Sequence, residues 1–266
     1  MIQRLLKGLA PLAALAMGAA LSGCGNVDLS INGKDGVPLS ELDMSGAAPA
    51  ELVVATGASV ILTTSATLDI EVENDPDNGL RFVLDDDTLG ITRDPDVDFD
   101  TSPIVRVAMP APRSIVIAGS GSVEAAAMSE KPEIIIGGSG SVKVAAIEAE
   151  TLEVNIGGSG SVTGAGSADR VEVNIGGSGD VDLSALMTDK AEVSIGGSGD
   201  VSLRSDGEVE ASLAGAGNVR VSGSATCTVS SFGSGKLTCT PVSNAEEGES
   251  DAEAGGEAEA ALTDET

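Results

Sequence analysis

The sequence predicts an all-β fold: a parallel β-helix-like solenoid with coils of about 19 residues, preceded by a strand-rich N-terminal region. Three observations carry this. A Gly-x-Gly-bearing motif starts at Ile117, Ile136, Ile156, Ile175, Ile195, Leu213 and, in degenerate form, Ser231, at intervals of 19, 20, 19, 20, 18 and 18 residues. Short runs on both sides of each copy alternate apolar and polar residues with period two. No ten-residue helical period appears, and the interval is too short for a helix-pair repeat.

Each element follows from its residues. From 39 to 110, β-branched or alternating runs at Leu52 to Ala55, Val60 to Thr63, Thr67 to Val72, Leu80 to Leu84, Thr88 to Thr92 and Ile104 to Met109 are separated by Asn, Asp, Gly and Pro clusters. These read as strands with tight connections. From 111 to 240, runs such as Leu152-Glu153-Val154-Asn155-Ile156 precede the motif and runs such as Val181-Asp182-Leu183 follow it. Alternate residues of both runs would point into a lumen of Val, Ile, Leu and Ala. The Gly-Ser-Gly between them reads as a corner, where glycine supplies positive φ without a Cβ clash. Right-handed coils are the expectation.

Composition bounds the chemistry. The chain has 266 residues, 42 acidic against 14 basic, for a formal charge of -28. That balance excludes nucleic acid as a partner, because phosphate binding needs clustered Lys and Arg. There is no His, no Trp and no Tyr, and only three Phe. Ser-His and Cys-His nucleophile pairs are therefore absent, together with the usual zinc and haem ligands.

The N-terminus carries an address. Arg4 and Lys7 precede an apolar stretch from Leu9 to Leu21, which ends in Leu21, Ser22, Gly23 and Cys24. The stretch is too short and too rich in Ala and Gly for a comfortable membrane span. It resembles a bacterial lipoprotein signal, so residues 1–23 read as a cleaved peptide and Cys24 as the lipid-bearing residue. Gly25, rather than Asp, after the cysteine favours the outer membrane. Residues 24–38 read as a tether between lipid and fold. Residues 245–266 hold nine acidic and no basic residues and read as a disordered acidic tail. The protein would meet the membrane through its N-terminal lipid anchor.

Several motifs tempt and fail. The Asp-rich connections lack the twelve-residue spacing of an EF-hand. Gly176 to Leu183 resembles a calcium-binding β-roll nonapeptide, but Val181 stands where its Asp belongs. Gly233 to Leu237 lacks the flanking Gly and Ser/Thr of a phosphate loop. The corner serines recur too regularly, with no base beside them, to include a nucleophile.

Two constellations remain. Cys227 and Cys239 are the thiols left once Cys24 is lipidated, and the repeat alignment puts them at inward positions flanking the last corner, so a disulfide is expected in an oxidising envelope. Glu133, Glu153, Glu172, Glu192 and Glu210 share one outward position, which would stack them about 4.8 Å apart. The neighbouring position holds Lys131, Arg170 and Lys190 in some coils, and Thr151 and Glu208 in others. The row reads as a solvated face partly neutralised by these cations, with weak Ca2+ binding as the sharper expectation. No other cofactor is expected.

The Pro-bounded run Ile104 to Pro110, the step from Arg113 through Ile117 into Gly119-Ser120-Gly121-Ser122-Val123, and the repeated Gly-Ser-Gly-x-Val corners resemble the bacterial auto-transporter adhesin head GIN domain family. The resemblance covers residues 39–240, with 39–244 as the domain. It implies an all-β solenoid of secreted or envelope proteins, often lipoproteins, and transfers no catalytic residue. The regular Gly-Gly-Ser-Gly corners and the acidic additions depart from it. The expected function is a non-catalytic cell-envelope lipoprotein presenting a rigid acidic surface, without a deep pocket, for adhesion, scaffolding or envelope interaction. Glycans, envelope proteins or a second copy of itself are the candidate partners. The alternative is a carboxylate-based polysaccharide lyase or hydrolase on a β-helix, which the shortage of aromatics disfavours.

Overall fold

The computed structural model describes Ile31 and residues 33–85, 87–97 and 102–241. The expected signal peptide, Cys24 and the acidic tail lie outside these residues. Within them the protein is a parallel β-solenoid, and its only helical turn is a 3-10 turn at Leu39–Glu41.

The regular part follows the six strands of the N-terminal region and begins with β7 (Ser114–Ile117), β8 (Ser122–Ala127) and β9 (Glu133–Ile136). It continues through β10 (Ser141–Ile156), β11 (Ser161–Ile175), β12 (Asp180–Gly197) and β13 (Asp200–Gly215) to β14 (Asn218–Ser222), β15 (Thr226–Gly233) and β16 (Lys236–Thr240). Every pairing in this stretch is parallel, and equivalent residues pair with one another. Val142 faces Val162, which faces Val181, then Val201 and Val219; Leu152 faces Val171, then Ala191 and Val209. The Leu152 row is no more than 1 % exposed. Burial of each such aliphatic side chain contributes about 1.5–3 kcal/mol relative to exposure, so the repeated rows of Val, Ile and Leu hold the coils together.

The strands are longer than the sequence pattern suggests. β10 to β13 run from one corner around a second bend into the next coil, with register shifts between Val144 and Ile147, Thr163 and Ala165, and Leu183 and Met187. Ladder bonds continue on both sides of this bend, which keeps most backbone polar groups satisfied.

The glycines of the main corner serve a different purpose from the one expected. Gly138, Gly158 and Gly177 do not have positive φ, but a Cβ on any of them would overlap the carbonyl oxygen of the glycine one coil back. On Gly140 a Cβ would lie 2.6 Å from both the Gly121 carbonyl oxygen and Ile117 Cγ2. Stacked corners approach so closely that no side chain fits. Only from Gly197 onward, at Gly197, Gly215 and Gly233, does the same corner position also take positive φ.

The N-terminal region is itself part of the stack, in an order the sequence does not disclose. β1 (Glu51–Val54) and β2 (Ser59–Thr64) form one coil, and β5 (Thr88–Arg93) and β6 (Ile104–Met109) form another. β1 pairs with β7 on one side and β5 on the other, and β2 pairs likewise with β8 and β6. The chain therefore lays the second coil first, turns outward to lay the end coil, and returns. Between them, β3 (Asp69–Glu73) pairs antiparallel with β6, and β4 (Leu80–Leu84) antiparallel with β5. Val37 exchanges two backbone hydrogen bonds with Phe82, at 2.9 and 2.8 Å, on the far side of β4. The parallel stack is thus capped by one antiparallel strand on each sheet, and β4 is met in turn at Phe82.

Candidate functional site

Period-two alternation sends Leu152, Val154 and Ile156 into the lumen and Glu153 and Asn155 outward, and the parallel register repeats this in each coil. Two straight outward rows result on the sheet that precedes the corner. The first is Glu133, Glu153, Glu172, Glu192 and Glu210, paired in that order. The second, two residues on, is Ile135, Asn155, Asn174, Ser194, Ser212 and Ser230.

The second row forms the wall of an open groove of about 760 Å³ that runs along the solenoid axis. Its floor is the first glycine of each corner, Gly137, Gly157, Gly176 and Gly196. The absence of side chains there makes the surface concave. At the C-terminal end Phe232 takes the place of that glycine and is 87 % exposed. Polar groups in the wall are linked: Asn174 Nδ2 donates to Asn155 Oδ1 at 3.1 Å, and Asn155 Nδ2 donates to Glu153 Oε1 at 2.9 Å. Toward the N-terminus the same row turns apolar, because Val53 and Val116 precede Ile135 and pack with Val83 and Ile31. The groove begins where that cover stops.

The glutamate row is compensated less than the sequence suggests. Arg170 alone of the three neighbouring cations reaches it, through Nε to Glu172 at 2.6 Å and a terminal nitrogen to Glu192 at 3.2 Å. Lys131 turns to Glu150 at 2.9 Å and Lys190 to Glu208 at 3.6 Å, both outside the row. Burial, then repulsion from Glu153 and Glu51, raises the Glu133 carboxyl above its ordinary value. Among the described residues, no three Asp, Glu or Cys side chains converge as a metal ion would need. The five carboxylates lie in line rather than around a point.

Other carboxylates tie coils together at corners. Asp200 accepts from the Asn218 side chain at 2.9 Å, from the Asn218 backbone at 3.0 Å and from Arg220 at 3.3 Å. The Asn218 side chain is the main reason its carboxyl is held below the ordinary range. Asp206 is lowered chiefly by the backbone N–H of Ser224, one coil on.

Cys227 and Cys239 are joined in a disulfide, with Cα atoms 6.7 Å apart, within the reach of such a bridge. They extend the inward rows of Val209 and Val221 into the last coil and link its two sheets. The sequence shows the glutamate row and the cysteine positions. It hides the groove, because a run of glycines reads as turns; the signal was the Asn and Ser row beside them.

A family model described as "Putative auto-transporter adhesin, head GIN domain" matches residues 48–225. The fold is similar to that of a putative adhesin from Bacteroides fragilis NCTC 9343, with 22% identity over 73% of this chain and 94% of that chain, at a TM-score of 0.68. It is also similar to a putative lipid binding protein from Parabacteroides distasonis ATCC 8503, with 19% identity over 74% of this chain and 94% of that one, at 0.58. A putative adhesin from Parabacteroides merdae ATCC 43184 follows, with 16% identity over 73% and 92%, at 0.52. None of the curated proteins compared with the chain matches it. Among the described residues, no helix is long and apolar enough to cross a membrane.

Proposed function

Because the chain belongs to the family described as putative auto-transporter adhesin, head GIN domain, we propose that it is a non-catalytic, lipid-anchored adhesin of the bacterial cell envelope whose binding surface is the axial groove, and that its ligand is an extended, uncharged glycan. The observation that carries this reading is the groove: a straight trough with one amide or hydroxyl per coil along its wall and an exposed aromatic ring at its end. Repeating Asn and Ser groups suit the repeating hydroxyls of a polysaccharide. The flat face of Phe232 suits the C–H face of a sugar ring. The parallel glutamate row and the charge of -28 disfavour anionic chains. Adhesion, rather than catalysis, fits a chain with no histidine and a site with no converging acid and base. Cys24 would hold it to the outer membrane.

A groove-filling variant tests the proposal. A Cβ on Gly157 meets nothing within 4 Å, and one on Gly176 only the Ile156 carbonyl oxygen at 3.9 Å, so Gly157→Leu and Gly176→Leu fill the trough without disturbing the coils. In affinity electrophoresis, a soluble neutral β-glucan should retard the full chain, and both variants should lose the retardation while keeping their melting temperature. Retardation by a polyuronate alone, undiminished retardation of both variants, or groove-dependent binding to lipid vesicles instead would overturn it.

A further inference from the structure

The two ends of the solenoid differ. The N-terminal end is covered by β3 and β4, which lie antiparallel on the outermost coil. At the C-terminal end, among the described residues, β15 pairs only with β13 and β16 only with β14, so no described strand lies along their outer edges. The lumen rows also end in the open there: Val229 follows Ala211 and Ser231 follows Leu213, yet Val229 is 47 % exposed. Of the large apolar side chains exposed among the described residues, Met44, Val229 and Phe232, two belong to this last coil.

Charge singles out the same place. Residues 226–240 contain no Asp or Glu and one Lys, whereas every earlier coil of the repeat carries carboxylates. The glutamate row stops one coil short, with Thr228 paired to Glu210. In a chain of charge -28, this is the coil whose own side chains oppose a second copy with least charge. Within the two edge strands nothing blunts pairing: they hold no proline and no inward charge, and no strand among the described residues covers them. The disulfide between Cys227 and Cys239 links the two edge strands to each other.

We propose that the C-terminal coil is a self-association surface on which two copies of the chain meet end to end, edge strands pairing antiparallel across a two-fold axis. Pairing of like ends across a two-fold axis uses both C-terminal edges, so association closes at the dimer rather than growing into a filament. Each copy offers only edge strands of 8 and 5 residues, a narrow contact, so the dimer is weak and concentration-dependent. Residues 242–266, which follow the last coil directly, are a poor cover for it, with nine carboxylates and little apolar beyond Ala and Leu262. The acidic excess of each copy opposes association, so salt favours the dimer.

Sedimentation velocity of the full chain in a mild detergent, over a range of protein and salt concentrations, tests this. A reversible monomer–dimer equilibrium is expected, shifted toward dimer by salt and abolished by Val229→Lys and by Ser231→Lys, which place a charge on the end face and leave residues 1–30 unchanged. Hydrogen exchange of the wild-type chain supplies a readout independent of variants: amides of β15 and β16 should gain protection as concentration rises. A wild-type chain that stays monomeric at every concentration, a dimer unaffected by both variants, or edge protection independent of concentration, which would assign the cover to residues 242–266, overturns the proposal.

Discussion

Glu133 and Glu153 are register partners on adjacent parallel strands, and burial of Glu133, with repulsion from Glu153 and then Glu51 added, raises its carboxyl above the ordinary 4.5. A raised carboxylate favours the fold when protonated. That contribution is present below the ordinary value and is lost as pH rises through the raised one. Glu133→Gln should therefore increase the melting temperature at neutral pH by about 1–2 °C, with the gain disappearing in acid. Thermal melts across that pH range check it, and Glu153→Gln should shrink the effect.

Adjacent glycines in one corner should respond oppositely. A Cβ at Gly158 would overlap the Gly138 carbonyl oxygen, whereas one at Gly157 meets nothing within 4 Å. Gly158→Ala should cost about 1–3 kcal/mol or more, as overpacking does. Gly157→Ala should be neutral or stabilising by up to about 1 kcal/mol, through the unfolded chain. Denaturant unfolding of the pair decides.

This contrast also shows what the sequence can and cannot disclose. The period, the inward rows and the glutamate row are legible because a parallel stack with period-two strands maps sequence interval directly onto space. The role of Gly158 is not legible, since a glycine that avoids a neighbouring carbonyl looks the same as one needed for positive φ. Nor is the outward placement of β5 and β6, since the runs at Leu89 to Ile91 and Leu52 to Val54 are equally suited to either coil. The partners of Lys131 and Lys190 depend on side-chain reach, which alignment of positions does not contain.

Arg170 joins two rungs of the glutamate row and is the only neighbouring cation to do so. These pairs are half-buried at the surface and still within reach of solvent, so Arg170→Ala should cost only about 0.5–1 kcal/mol. The loss should shrink in high salt, where repulsion along the row is screened as well. Lys190→Ala, which removes a pair outside the row, should cost less at low salt. Melting temperatures of both variants at two ionic strengths supply the comparison.

Removing the disulfide should act locally. The loop closed between Cys227 and Cys239 spans 12 positions, which corresponds to about 2–3 kcal/mol in the chain-entropy account. In a stack where each coil contacts only its neighbours, that loss falls on the end. Hydrogen exchange of Cys227→Ser/Cys239→Ser should show β15 and β16 opening first, with β10 to β12 unchanged.

The central claim is that successive coils present one binding position each to an extended neutral glycan. Calorimetric titration with a neutral β-glucan oligosaccharide series tests it most directly. Affinity should climb with oligomer length until the ligand spans from Asn155 to Ser230, about 19 Å at the inter-strand spacing, then level off, and Phe232→Ala should weaken only the oligomers long enough to reach it. Affinity that does not depend on length, or no binding at any length by a correctly folded chain, would contradict the account.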